Sequence, residues 1–285
     1  MVSTLLDSEA AQILVPGVQD FDSIYSQSKI YNAIDELPVE PLIKAEVAQL
    51  GYEDKRARQA LQIVEDYDKA TFRHAARVAA LANHIAKAAG FNAAELKTLA
   101  IAGLMHDLGK IAVDIDIIHP KTEASAQIIE DEWDVRRQAL QTHPVVGYLM
   151  TKQLFGEQPK DPTLMKLVSQ AVLTHHCYNH ARPTYPNEVT LASLVQETGL
   201  VRAQLDDPFL QRLTKLLAVA DVYEAVTANR TYTKDQDFED PKVVEATLLA
   251  AHPDMEVSID RLMQLHFKRF PRGIMPVVDW PNRGK

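Results

Sequence analysis

The sequence predicts an all-α protein, and three observations carry that prediction. Gly supplies only 10 of 285 residues and aromatic side chains only 7%, so the chain is poor in residues that strand-and-turn folds use heavily. Ala, Leu, Glu, Gln and Lys are plentiful, and these are strong helix formers. Apolar residues also recur at i, i+3, i+4 and i+7 rather than alternating, which is the period of an amphipathic helix.

Each element can be placed in turn. Residues from 1 to about 40 are weakly patterned and punctuated by Pro16-Gly17, Pro38 and Pro41. A helical pattern runs from about 42 to 67 through Leu42, Val47 and Leu50, then Gly51, then Ala57, Leu61 and Val64. The segment 70–89 aligns His74, Val78, Leu81 and Ile85 on one face and ends before Gly90, a C-terminal cap. The segment 93–108 stops at Gly109. The segment 134–154 aligns Ala139, His143, Val146 and Met150, and 163–177 aligns Leu164, Val168, Ala171 and His175. The segment 209–228 aligns Leu213, Leu217, Asp221 and Glu224. Helices at about 241–251 and 256–269 flank His252-Pro253, and a proline-rich tail comes last. There is no internal repeat. This organisation predicts an accessory helical segment over 1–60 and a main domain over 61–285.

Composition narrows the function. Apolar residues at 46% and charged residues at 24% allow a substantial core and argue against general disorder. The formal charge of −9 gives no general attraction for nucleic-acid polymers or anionic lipid. A small phosphate substrate would need local positive charge. The single cysteine, Cys177, excludes an intrachain disulfide and fits a reducing compartment. Met1 to Gln12 carries Asp7 and Glu9 and no basic stretch, unlike a signal peptide. No apolar run reaches the roughly 20 residues that span a bilayer. These features predict a cytoplasmic protein without a membrane partner.

The chemistry-bearing residues lie on otherwise apolar helix faces, where a charge or imidazole is costly unless paired or metal-bound. His106-Asp107-Leu108-Gly109-Lys110 closes one helix. Adjacent His and Asp project about 100° apart there, so both can reach one centre. The same five residues also suit a polar, Gly-capped helix end with a favourable Lys. His175-His176 ends another helix, as a pair of ligands or as surface and capping residues. His74 and His143, each taken alone, read equally as hydrogen-bonded core histidines. Asp221, within Ala218-Val219-Ala220-Asp221-Val222-Tyr223, wants a cation, a cap or a partner. His84, His119, His180, His252 and His266 fall outside this set and read as surface or capping residues.

Taken together, the order His74, His106-Asp107, His143, His175-His176, Asp221 resembles the ligand order of the HD superfamily of metal-dependent phosphohydrolases. Similarity is greatest to the HD-GYP branch, whose known members are cyclic dinucleotide phosphodiesterases. Glu132-Trp133 before His143-Pro144-Val145-Val146-Gly147 looks like that branch's approach to its middle histidine. Asp221-Val222-Tyr223-Glu224-Ala225-Val226-Thr227, with Arg230 and Tyr232, looks like its Asp-x-Tyr-Asp-Ala-Leu-Thr…Arg-x-Tyr run. After the paired histidines, Arg182-Pro183-Thr184-Tyr185-Pro186 stands where the branch has Asp-Gly-x-Gly-Tyr-Pro. Thr184 therefore replaces a Gly, and Cys177 stands in place of a Glu. The stretch from Pro186 to Asp221 is longer by roughly 15 residues than the HD-GYP resemblance implies. Ala70 occupies the position of a third-metal Glu, so the resemblance implies two metals.

The resemblance implies an HD-domain helical bundle with a dinuclear site formed by His74, His106, Asp107, His143, His175, His176 and Asp221. Five imidazoles and two carboxylates suit Fe, Mn, Co, Ni or Zn better than Mg or Ca, and the family tips this to iron or manganese. Asp107 would bridge ions roughly 3.5–4 Å apart that share a water, whose lowered pKa makes hydroxide available for in-line attack on phosphorus. Lys110 would add positive charge during turnover, and Lys110, Arg182, Tyr185 and Arg230 would contact the substrate. The implied reaction is hydrolysis of a cyclic dinucleotide such as cyclic di-GMP. Hydrolysis of another nucleotide or phosphate ester, and a catalytically weak metal- or nucleotide-binding signalling module, are the competing readings. The 1–60 segment would pack on the catalytic domain, form a homodimer contact or connect to a signalling partner, and the sequence leaves these three open.

Overall fold

The computed structural model describes residues 29–119, 138–156, 161–198, 200–228 and 240–270. Among them no strand occurs, and the prediction of an all-α architecture holds. The helices are α1 Lys29–Ile34, α2 Pro41–Glu53, α3 Lys55–Tyr67, α4 Lys69–Ala88, α5 Ala93–Met105, α6 Ile115–Ile118, α7 His143–Phe155, α8 Pro162–Thr174, α9 Glu188–Thr198, α10 Arg202–Leu205, α11 Pro208–Thr227, α12 Pro241–Ala251 and α13 Glu256–Arg269, with a 3₁₀ turn at Leu108–Ala112. None of these helices is long and apolar enough to cross a membrane.

Short polar side chains start several of these helices by accepting from backbone N–H groups that have no partner inside the helix. Asp54 accepts from the amides of Arg56 and Ala57, and Asp68 from those of Ala70 and Thr71. Asn92 and Glu95 form a reciprocal capping box at α5. Asp161-Pro162, Asp207-Pro208 and Asp240-Pro241 combine an aspartate cap with a proline at the first helical position, where the missing N–H costs nothing.

Three boundaries differ from the sequence expectation. The helical pattern at 42–67 divides at Asp54, which caps α3 after α2 has run on through Gly51. A Cβ at Gly51 would lie 2.2 Å from Ile30 Cδ1, so this glycine serves close helix packing. The segment expected as one helix over 134–154 is helical at 138–141, turns at Thr142, and restarts as α7 at His143. Pro144 dictates the restart, since a proline is tolerated only in a helix's first turn. The His106-Asp107 and His175-His176 pairs lie just beyond the ends of α5 and α8 rather than inside helices. The added length before Asp221 is occupied by α9 and α10. Residues 1–28, Glu132-Trp133, the start of the 134–154 segment, Arg230, Tyr232 and the proline-rich tail lie outside the described residues.

Helix α4 packs against α1, α5 and α11; α7 packs against α8 and the 3₁₀ turn. Ile34, Leu37, Leu81, Leu104, Leu173 and Tyr223 are fully enclosed within one continuous apolar cluster. The cluster includes Ile30, Ile43 and Leu61 of α1–α3, so these helices share one core with α4, α5, α8 and α11. Gly109 sets a contact that matters for the site. A Cβ there would lie 2.0 Å from the His143 carbonyl oxygen and 2.5 Å from the Gly147 amide, and only a residue without a side chain lets the 3₁₀ turn approach α7 so closely.

Candidate metal centre

Four elements deliver histidines to one buried point, and a local device fixes three of the rings. His106 Nδ1 lies 2.7 Å from the Gly103 carbonyl oxygen, His143 Nδ1 2.6 Å from that of Leu140, and His175 Nδ1 2.7 Å from that of Val172. Each ring donates Nδ1–H to a carbonyl three residues back. A carbonyl oxygen only accepts, so the neutral tautomer is set and the Nε2 lone pair points inward. His74 is held differently: its Nδ1 lies 2.5 Å from Glu224 Oε2.

The inward atoms form two groups around Asp107. His74 Nε2 is 3.0 Å from Asp221 Oδ1 and 3.4 Å from Asp107 Oδ2, and His106 Nε2 is 3.5 Å from Asp107 Oδ2. On the other side His143 Nε2 is 3.4 Å from Asp107 Oδ1. His74, His106 and Asp221 present ligand atoms within 4.8 Å of one another, as do His143, His175 and His176, and as do His106, Asp107 and His175. The two carboxylate oxygens of Asp107 thus face opposite groups, the disposition a bridging ligand requires. All seven residues named from the sequence converge here.

The donor set fits divalent cations. His106 is completely buried, yet its Nε2 has no hydrogen-bond partner, an arrangement that ordinarily costs free energy. His143 Nε2 and His175 Nε2 lie 3.2 Å apart. With both protons on Nδ1 these are two lone pairs face to face, which a cation between them relieves. Imidazole and carboxylate donors suit borderline first-row metals.

Burial opposes charge throughout the cluster. It lowers His143 to about 3 and His176 to about 4, and puts His175 well below its ordinary range, where neighbouring histidines add to the effect. These rings are neutral and ready to ligate. Burial alone would raise Asp107, but His106, Lys110, His74 and His143 hold its carboxyl well below the usual range. Asp221 is likewise held low, against burial, by His74, His106 and His176. His74 runs the other way: burial lowers it, but Glu224, Asp221 and Asp107 outweigh burial and raise it to about 9.

Other expected residues fall around this centre. Lys110 Nζ donates to Asp107 Oδ2 at 2.5 Å, so its charge sits beside the bridging carboxylate. The Tyr185 ring lies 4.4 Å from the His176 ring at 32°. Arg182, on the same loop, is exposed. Cys177 faces the backbone of the Tyr185 loop, with Sγ 3.7 Å from the Tyr185 carbonyl oxygen, and burial pushes its thiol up to about 12. Sequence reasoning missed the roles of Glu224 and Arg77, buried one turn after Asp221 and His74 respectively. The signal was present as charges on apolar faces at i+3. His252 and His266, expected as surface or capping residues, are both buried, His252 as the C-cap of α12; His266 Nδ1 lies 3.5 Å from the Tyr223 hydroxyl.

The HD domain family model matches residues 71–226, more than half of the chain and a span that contains all seven converging residues. The chain belongs to the HD domain family. This is the metal-dependent phosphohydrolase superfamily that the ligand order resembles. Within it, the chain is 27% identical over 170 residues to 3'3'-cGAMP-specific phosphodiesterase 1 of Vibrio cholerae, covering 60% of this chain and 32% of that protein. It is 27% identical over 208 residues to phosphodiesterase 2 of the same name and organism, covering 73% and 33% respectively. The cyclic di-GMP phosphodiesterase response regulator RpfG of Xanthomonas campestris is 26% identical over 191 residues, covering 65% of this chain and 42% of that protein. The HD chain therefore spans well under half the length of these curated relatives.

Proposed function

We propose that this HD chain hydrolyses a cyclic dinucleotide, of the cyclic di-GMP or 3'3'-cGAMP class, at a two-metal site. The observation that carries the reading is Asp107, whose two oxygens face separate sets of ligand atoms. His74, His106 and Asp221 would hold one ion and His143, His175 and His176 the other, with iron or manganese the occupants best suited to this donor set. Bound ions supply Lewis acidity toward a water and the phosphoryl oxygens.

The chain's own residues supply the rest. The carbonyl-anchored rings keep their Nε2 atoms aimed inward without reorganisation. Lys110 fixes the Asp107 carboxylate and brings positive charge where phosphoryl charge develops. Tyr185 presents an aromatic face beside His176 for a nucleobase or ribose. Arg182, and Arg230 beyond the described residues, are the remaining candidate substrate contacts. Residues 1–60 form the accessory segment in this reading and 61–285 the catalytic domain. The accessory segment would offer the surface for a second copy or a signalling partner, in a cytoplasmic protein.

A second reading has a specific basis. Cys177, where the HD-GYP branch carries Glu, engages the backbone of the Tyr185 loop, and Thr184 replaces a Gly there. This altered loop favours a different nucleotide, or binding without turnover. A panel of cyclic di-GMP, 3'3'-cGAMP and 5'-mononucleotides, assayed with Mn²⁺- or Fe²⁺-loaded protein beside elemental analysis, separates these cases. Cyclic dinucleotide cleavage is expected. Turnover of mononucleotides alone would transfer the assignment to the second reading.

A further inference from the structure

A chain of charges runs outward from His74 to the segment that precedes the HD-matched span. Glu224 Oε2 accepts from His74 Nδ1 at 2.5 Å, and Arg77 Nε lies 3.0 Å from Glu224 Oε1, an ion-pair contact. Arg77 Nη1 pairs with Glu36 at its other end. The Glu224 and Arg77 side chains are only 4% and 10% exposed, whereas Glu36 is 65% exposed.

Glu36 sits in the turn after α1, and that turn is firmly held. Ile34 and Leu37, on either side, are fully buried, Leu37 N–H donates to the Ile34 carbonyl at 3.0 Å, and Lys44 Nζ donates to the Asp35 carbonyl. Glu36 is therefore presented to Arg77 by a packed turn rather than a loose tail.

We propose that the segment preceding the HD-matched span is a positioning element of the metal centre: Glu36, acting through Arg77 and Glu224, fixes the ring of His74. The physical need is clear. A buried carboxylate holding a metal-facing imidazole adds negative charge beside Asp221 and Asp107, and Arg77 balances it. An arginine with one end on Glu224 retains rotational freedom that a second carboxylate removes. Glu36 is thus a positioning residue, and so is Arg77. The inference rests on the two-metal reading of the site.

The test is Co²⁺ titration of the metal-free 285-residue chain, followed by the d–d absorption of bound cobalt. Wild type is expected to take up two ions. Glu224→Gln should weaken one of the two binding events by roughly 10–100-fold, the usual effect of removing a carboxylate behind a ligating histidine. Glu36→Gln should weaken the same event by about 2–5-fold, as suits an exposed ion pair. The metal-free melting temperature of Glu36→Gln should match wild type, because Glu36 lies outside the core. Glu40→Gln, which breaks an ion pair with Lys87 in the same segment, should leave both events unchanged. In an Arg77→Met background Glu36→Gln should have no further effect. Wild-type affinity in Glu36→Gln with Glu224→Gln weakened overturns the proposal, as does equal weakening by Glu40→Gln. Failure of wild type to bind any cobalt would instead reject the metal-site reading beneath it.

Discussion

His74 makes metal binding at this site a proton-exchange reaction, and its surroundings set the size of the effect. Its Nδ1 is committed to Glu224 and its Nε2 lies 3.0 Å from Asp221 Oδ1. In the metal-free protein an imidazolium bridging the two carboxylates stands where an ion would bind. With a pKa of about 9 instead of 6.5, protonated His74 outnumbers neutral His74 by about 100 to 1 at pH 7. An ion ligating Nε2 must displace that proton. Affinity for this ion should therefore rise roughly tenfold per pH unit, about 1.4 kcal/mol, until pH 9. His143, His175 and His176 are lowered, so they are already neutral and release nothing. Calorimetric titration at pH 7.5 in buffers of different ionisation enthalpy should count about one proton released at the tighter-coupled ion. The raised pKa also fixes the sign for stability. The metal-free fold gains from protonated His74 below pH 6.5 and loses that gain, about 3 kcal/mol, as pH rises through 9. Affinity that stays flat between pH 7 and 8.5, with no proton released, would refute this account of His74.

Other perturbations probe separate links. Asp107→Asn removes the charge that faces both ligand groups, and elemental analysis should find loss of at least one ion per chain; full retention of two would exclude a bridging role. Lys110→Ala should leave metal content intact while lowering turnover of whichever substrate the panel identifies. Gly109→Ala drives a Cβ into the His143 carbonyl and should cost about 2–3 kcal/mol in denaturant unfolding, with weakened metal uptake because the turn and α7 are forced apart. Asp68→Ala removes the acceptor for the Ala70 and Thr71 amides and should cost about 1 kcal/mol without changing metal stoichiometry.

How far the sequence reveals this molecule depends on which force sets each feature. Helix existence was legible because apolar spacing reports the buried face directly: the expected 70–89, 209–228 and 256–269 segments differ from α4, α11 and α13 by a residue at most. Boundaries set by a single cap or proline were read less well. Pro144 restarts a helix at His143, and Asp54 divides the 42–67 pattern in two. The metal ligands were legible through family order. The residues behind them were not, since Glu224 and Arg77 gain meaning only once α4 and α11 cross and bring positions 74 and 224 together, 150 residues apart in the chain. Cys177 looked like a neighbour of the ligands, yet turning at the end of α8 aims its sulfur at the Tyr185 loop instead.

Core hydrogen bonding satisfies one nitrogen of His106, His143 and His175 and leaves the other to face the centre. Carbonyls at Gly103, Leu140 and Val172 account for Nδ1 in His106, His143 and His175. The same bonds strip Nε2 of its proton and leave it without a donor. A chain selected only for a packed core would gain nothing from three buried lone pairs gathered beside two carboxylates, because each lost solvation on folding. The structural role therefore creates the ligating role: anchoring the ring at its outer nitrogen exposes the inner one to a shared cation. That coupling also explains why His106 and His175 sit just past helix ends, where carbonyls three residues back are free of helical partners and can turn toward a ring.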